Sequence, residues 1–73
     1  MSIYSTVENV LLRDYELLRG LSDATIDKIV VDVMEEMEGY EREMCTEPFI
    51  YSIAGELITQ YIYKGLCDEL QET

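Results

Sequence analysis

Residues 22–45 read SDATIDKIVVDVMEEMEGYEREMC, and this stretch decides the fold. Ile26, Val30, Val33, Met37, Tyr40 and Met44 recur at intervals of 4, 3, 4, 3 and 4, the rhythm of one apolar seam along an α-helix. Ser22 is placed to cap it, and Asp23 falls in the positive first turn. Leu21 and Ile26 can close a hydrophobic staple across that cap. The spacing predicts a single helix over 22–44, with Gly39 as its weak spot, because an interior glycine costs ~1 kcal/mol relative to alanine. Met34, Met37 and Met44 suit core filling, and methionines at helical spacing can also line a binding groove.

The same stretch holds eight of the sixteen acidic residues and only Lys28 and Arg42 as basic ones. Asp27, Asp32, Glu35, Glu36, Glu38 and Glu43 are expected on the outer side of this helix, with Asp23 and Glu41 at its edges. Two roles suit such a face: keeping a small apolar protein in solution, or docking on a basic partner. The extreme of the second is imitation of DNA phosphates, since acids at helical spacing present charge every few ångströms.

Upstream, Ser5-Thr6-Val7-Glu8 has the form of a capping box and predicts a first helix over 5–19. Val7, Val10, Leu11, Leu17 and Leu18 form its inward face, interrupted by Asp14. Arg19 suits its last turn, and Gly20 is expected to end it in the left-handed conformation. The short connection to Ser22 implies a helical hairpin.

Downstream, Thr46-Glu47-Pro48 has the chemistry of a helix start, since proline tolerates the first turn. Phe49 to Leu70 is rich in β-branched and aromatic residues, but the pairs Ile53-Ala54 and Leu57-Ile58 violate strand alternation. Helical periodicity instead gathers Ile50, Leu57, Ile58, Tyr61 and Ile62 on one face, predicting a third helix over 47–70. Ala54 and Gly55 mark a close approach between helices, and Gly65 a bend. The expectation is an all-α, three-helix-bundle-like single domain: a helical hairpin plus a third long helix, completed by dimerisation. Unequal helix lengths leave part of the seam of the second or third helix, and the tyrosine-rich end of the third, for a second copy or another protein.

Chain length and charge narrow the function classes. A chain of 73 residues buries only ~60% of its unfolded surface, so it is marginal without a partner, metal or disulfide. Hydrophobic content of 48% is too high for a disordered acidic tail. A net charge of −11 disfavours nucleic-acid phosphate and anionic membranes as direct partners and favours a basic protein. No apolar run approaches the ~18 residues of a membrane span. The N-terminal MSIYSTVENVL lacks the pattern of a signal peptide, so a cytoplasmic location is expected. There Cys45 and Cys67 are expected as free thiols; antiparallel packing would put them ~28 Å apart, beyond disulfide reach.

Catalytic constellations are missing from the sequence. Without histidine there is no Ser-His or Cys-His pair, and two isolated cysteines cannot form a zinc site. No glycine-rich phosphate loop or calcium-loop pattern is present. Acidic pairs one turn apart, Asp32 with Glu36 and Asp23 with Asp27, lie on the polar face without a histidine to join them. These absences predict a non-enzyme without cofactors.

In size, charge, tyrosine content and lack of catalytic residues the whole chain resembles the short acidic helical accessory proteins of temperate phage early regions. That resemblance implies a protein in the host cytoplasm that binds and redirects a host protein. The expected function is therefore partner binding and modulation by a homodimer. A DNA-mimic inhibitor and a structural oligomerisation module are the alternatives.

Overall fold

Ser2 starts the first helix of the computed structural model, which describes residues 2–71. Its hydroxyl accepts the Ser5 N–H at 3.1 Å, satisfying one of the donors a helix N-terminus leaves free. Helix α1 accordingly spans Ile3–Asp14, not 5–19, and Ser5 lies inside its first turn. It ends at Asp14 because Tyr15 turns into extended backbone and crosses to the third helix. There its ring stacks on Tyr51 at 4.8 Å and its hydroxyl donates to the Tyr51 carbonyl at 2.7 Å. A 3-10 turn, Glu16–Gly20, follows. From this turn the Arg19 guanidinium reaches back to the carbonyls of Leu12 (2.7 Å) and Arg13 (3.1 Å). Arg19 thus does complete the end of α1, but from outside it. Gly20 is not left-handed; among the described residues Gly65 is the only one with positive φ. Leu17 points outward at 47% exposure, whereas Val7, Val10, Leu11 and Leu18 are buried.

Helix α2 spans Asp23–Met37, capped by Ser22, whose hydroxyl accepts the Thr25 N–H. The apolar rhythm holds to Met37, and Ile26, Val30, Val33 and Met37 are buried together with Ile29. Beyond it the helix does not continue to Met44. The N–H groups of Gly39 and Tyr40 bond back only three residues, to Glu36 and Met37, so the ladder tightens and stops. Glu41 is extended, and a second 3-10 turn, Arg42–Met44, closes the connection. Tyr40 and Met44 therefore leave the seam and stand 47% and 49% exposed.

Helix α3 spans Glu47–Lys64, with Thr46 at its N-cap position and proline in its first turn. It stops short of residue 70 because Gly65 adopts φ 64° and closes a Schellman motif: Leu66 N–H to the Tyr61 carbonyl and Gly65 N–H to that of Ile62. A single turn, α4 (Asp68–Gln71), folds back from there. Ile50, Ile53, Ala54, Ile58 and Tyr61 are buried, Leu57 half-buried and Ile62 exposed. Gly55 lies at a close approach, but to the Tyr15 side chain beyond the end of α1 rather than to another helix: a Cβ built there would lie 2.7 Å from the Tyr15 hydroxyl oxygen.

The protein is all-α, with no strand among the described residues. Helices α1, α2 and α3 pack pairwise around one core. Helix α3 runs back along α2: Met37 shares a hollow with Ile50, and Ile29 one with Tyr61. No helix among the described residues is long and apolar enough to cross a membrane.

Candidate interaction surface

The outer acids of α2 fall into three settings. Asp27 accepts a 2.6 Å hydrogen bond from the Tyr4 hydroxyl and ties α2 to α1. That bond to a carboxylate pushes the Tyr4 pKa up to about 12, because ionising the phenol would face the Asp27 charge. Asp32 pairs with Lys28 at 3.4 Å, and the Lys28 ammonium also sits 4.9 Å from the centre of the Tyr61 ring. Glu35 and Glu36 are exposed and, with Asp32, edge a shallow cleft of about 350 Å³ floored by Leu57 and Tyr61 of α3.

The remaining acids lie past the last residue of α2. Glu38 caps the helix, and Glu41 and Glu43 sit on the connection to α3, all exposed. Together with Glu35 and Glu36 they make no ion pair among the described residues, where the paired acids are Asp14, Asp32 and Glu47. Arg42, between Glu41 and Glu43, forms none either among the described residues. Asp14 and Glu47 both meet Arg13, at 3.0 and 2.8 Å. The guanidinium holds Asp14 below the usual carboxylate range and is itself held charged.

Beside these free acids the surface is apolar and indented. A hollow of about 290 Å³ is lined by Ile3, Met34, Met37, Glu38, Tyr40, Arg42 and Cys45. An adjoining one of about 200 Å³ shares Ile3, Met37, Arg42 and Cys45 and adds Thr6 and Ile50. Three elements build it: the first residue of α1, the last two turns of α2 and the 3-10 connection. Tyr40 is held there edge-on against Phe49, with ring centres 4.8 Å apart.

The opposite end of the bundle is differently made. The Glu69 carboxylate accepts from the Ser22 N–H (2.9 Å), the Ser22 hydroxyl (2.8 Å) and the Thr25 hydroxyl. These bonds, that from Thr25 foremost, hold Glu69 below the usual carboxylate range. They tie α4 to the start of α2 and leave Leu70 buried. Cys67 lines the cleft beneath, with Lys28, Ile29 and Tyr61. Both cysteines are free and half-buried.

The sequence singles out Met34, Met37, Tyr40 and Met44, but nothing in it joins them to Ile3, Thr6 or Cys45. Met34, Met37 and Tyr40 meet those residues only in the folded chain, where Met44 lines neither hollow. Among the described residues no group of three His, Cys, Asp or Glu side chains could hold a metal ion. No protein-family model, curated protein or solved structure matches the chain.

Proposed function

We propose that this chain is a small acidic, non-enzymatic protein that docks on a partner protein with a basic surface and modulates it. This is the mode of action of the phage accessory proteins it resembles, and it would operate in the host cytoplasm. The observation that carries the reading is the group of five exposed acids, Glu35, Glu36, Glu38, Glu41 and Glu43, none of them ion-paired among the described residues. Uncompensated acids repel one another and give the isolated fold little, yet they steer an approaching basic surface and fix its orientation. Exposed apolar side chains beside them, Tyr40 and Met44, supply the dry contact that charge alone lacks.

The architecture belonging to this reading is a helical hairpin of α1 and α2 with α3 as the third helix, completed by a second copy. Tyr63 and Leu66, 90% and 59% exposed near the end of α3, are the side chains such a pairing would cover. A single 8.5 kDa species at high micromolar concentration in sedimentation would remove the dimer.

Capture of the partner from the native host, followed by a salt titration, tests the docking itself. Affinity is expected to fall steeply as salt screens the acids over a Debye length of ~8–10 Å. Glu35→Lys with Glu36→Lys is expected to weaken the captured complex ~10-fold or more while the circular dichroism melt stays nearly unchanged. Affinity indifferent to salt, or a variant that unfolds, would overturn the reading.

A further inference from the structure

We infer that the hollow at the end of α2 is the seat for apolar anchor residues of a basic amphipathic helix on the partner protein. The inference rests on the reading of the chain as an acidic docking protein and names what docks.

The lining comes first. Met34, Met37 and Cys45 bring soft, polarisable sulfur, and Ile3 and Tyr40 stand 45% and 47% exposed beside them. Unbranched thioethers adapt to the shape of an incoming side chain, which suits a groove that must accept a protein segment. The two hollows share Ile3, Met37, Arg42 and Cys45 and so form one continuous depression, open to apolar side chains from one face of a helix.

Charge then selects the occupant. Glu38 and Arg42 both line the hollow, and the exposed Glu41 and Glu43 stand on either side of Arg42 in the chain, so acids outnumber the one cation at this end. A helix carrying Lys or Arg around its apolar stripe meets this rim with opposite charge. A second copy does not: each chain carries −11, and a symmetric contact here would press the same acids together.

A designed probe tests this without knowing the partner. It is a helical peptide of about fourteen residues, four turns, with leucines along one face, lysines elsewhere and a single tryptophan among the leucines. The protein has no tryptophan, so peptide emission reads the contact without background. The control peptide has the same composition, scrambled so that no face is apolar.

The amphipathic peptide is expected to bind at least ~10-fold more tightly than the scrambled one, with blue-shifted emission. Ile3→Ser and Tyr40→Ser are each expected to weaken it ~5-fold or more. Tyr63→Ser, at the far end of α3, is expected to leave it unchanged. Unaltered helical content in the variants separates loss of contact from loss of fold.

Equal binding of the two peptides overturns the inference while leaving a purely electrostatic docking face intact. So does binding indifferent to Ile3→Ser and Tyr40→Ser. A dimer that Ile3→Ser converts to monomer assigns the hollow to a second copy instead. Failure of the parent reading has a different signature: the captured natural partner then ignores both salt and the Glu35, Glu36 reversal.

Discussion

Where α2 begins and α3 finishes, α4 folds back, Glu69 takes three hydrogen bonds from Ser22 and Thr25, and Leu70 is buried. Where α2 finishes and α3 begins, the connection over residues 40–45, with its 3-10 turn at Arg42–Met44, leaves Tyr40 and Met44 half exposed. Both ends must deal with apolar side chains and with helix termini that lack backbone partners. At the first, one carboxylate meets donors that need an acceptor, and the leucine beside it settles on the core. At the second, Glu41, Arg42 and Glu43 form no ion pairs among the described residues, and unpaired charges cannot follow a chain into an apolar interior. The charges hold the connection at the surface, and the hollow beneath it stays open.

The strongest way to break this contrast is to truncate one apolar side chain at each end. Leu70→Ala is expected to cost ~2–5 kcal/mol in urea unfolding, as for other buried leucines. Met44→Ala should stay within ~0.5 kcal/mol, the usual range for surface changes. Similar losses at both ends would mean that the open end is also part of the stabilising core. The two serine caps sharpen the point at a smaller scale. Ser22→Ala removes both a cap and a donor to Glu69 and should cost ~1–2 kcal/mol, while Ser2→Ala removes a cap alone and should cost ~0.5–1 kcal/mol.

Acid adds a third comparison. Glu69 is held below the ordinary carboxylate range in the fold, so its contribution is complete above its unfolded value of ~4.3. That contribution is lost as pH falls through the lowered folded value. The gap in Tm between the natural protein and Glu69→Gln is therefore expected to narrow as pH falls below the ordinary carboxylate range. A gap that is constant with pH would show that the ionised carboxylate is not what holds α4.

A change of opposite sign is expected at Gly39. A Cβ there meets only the Glu36 carbonyl oxygen, at an ordinary 3.6 Å, and φ is not positive. Gly39→Ala should raise stability by ~0.4–1 kcal/mol through the unfolded chain. Gly55→Ala should forfeit any such gain, since its Cβ would collide with the Tyr15 hydroxyl.

Much of the architecture was legible because local chemistry and tertiary packing agree. Ser22 caps, Ile26 to Met37 face inward, and Gly65 turns the chain where the residues alone suggest it should. The misreadings have a common cause. Ser5 carries the complete capping pattern, yet Ser2, one turn earlier, is the residue that caps. The 4-3-4 rhythm runs on through Tyr40 and Met44 after the backbone ladder has ended, because spacing records order along the chain and not hydrogen bonding. Tyr15 ends α1 through a contact with Tyr51, which no local pattern announces.

The candidate surface divides in the same way. That Glu35, Glu36, Glu38 and Glu43 are exposed was readable from their type. That Asp27 serves Tyr4 and Asp32 serves Lys28 depends on the neighbours the fold provides. The hollow was the least legible part, because α1, α2 and the connection each contribute only a few side chains to it.

The two thiols also divide between these ends. Cys45 lines the open hollow and Cys67 the cleft under α4, both free of disulfides and half-buried. The molecule thus carries a natural attachment point for a spectroscopic label at each pole. Replacing one thiol at a time yields two singly tagged proteins, and the rates at which they react would time how often each pole breathes.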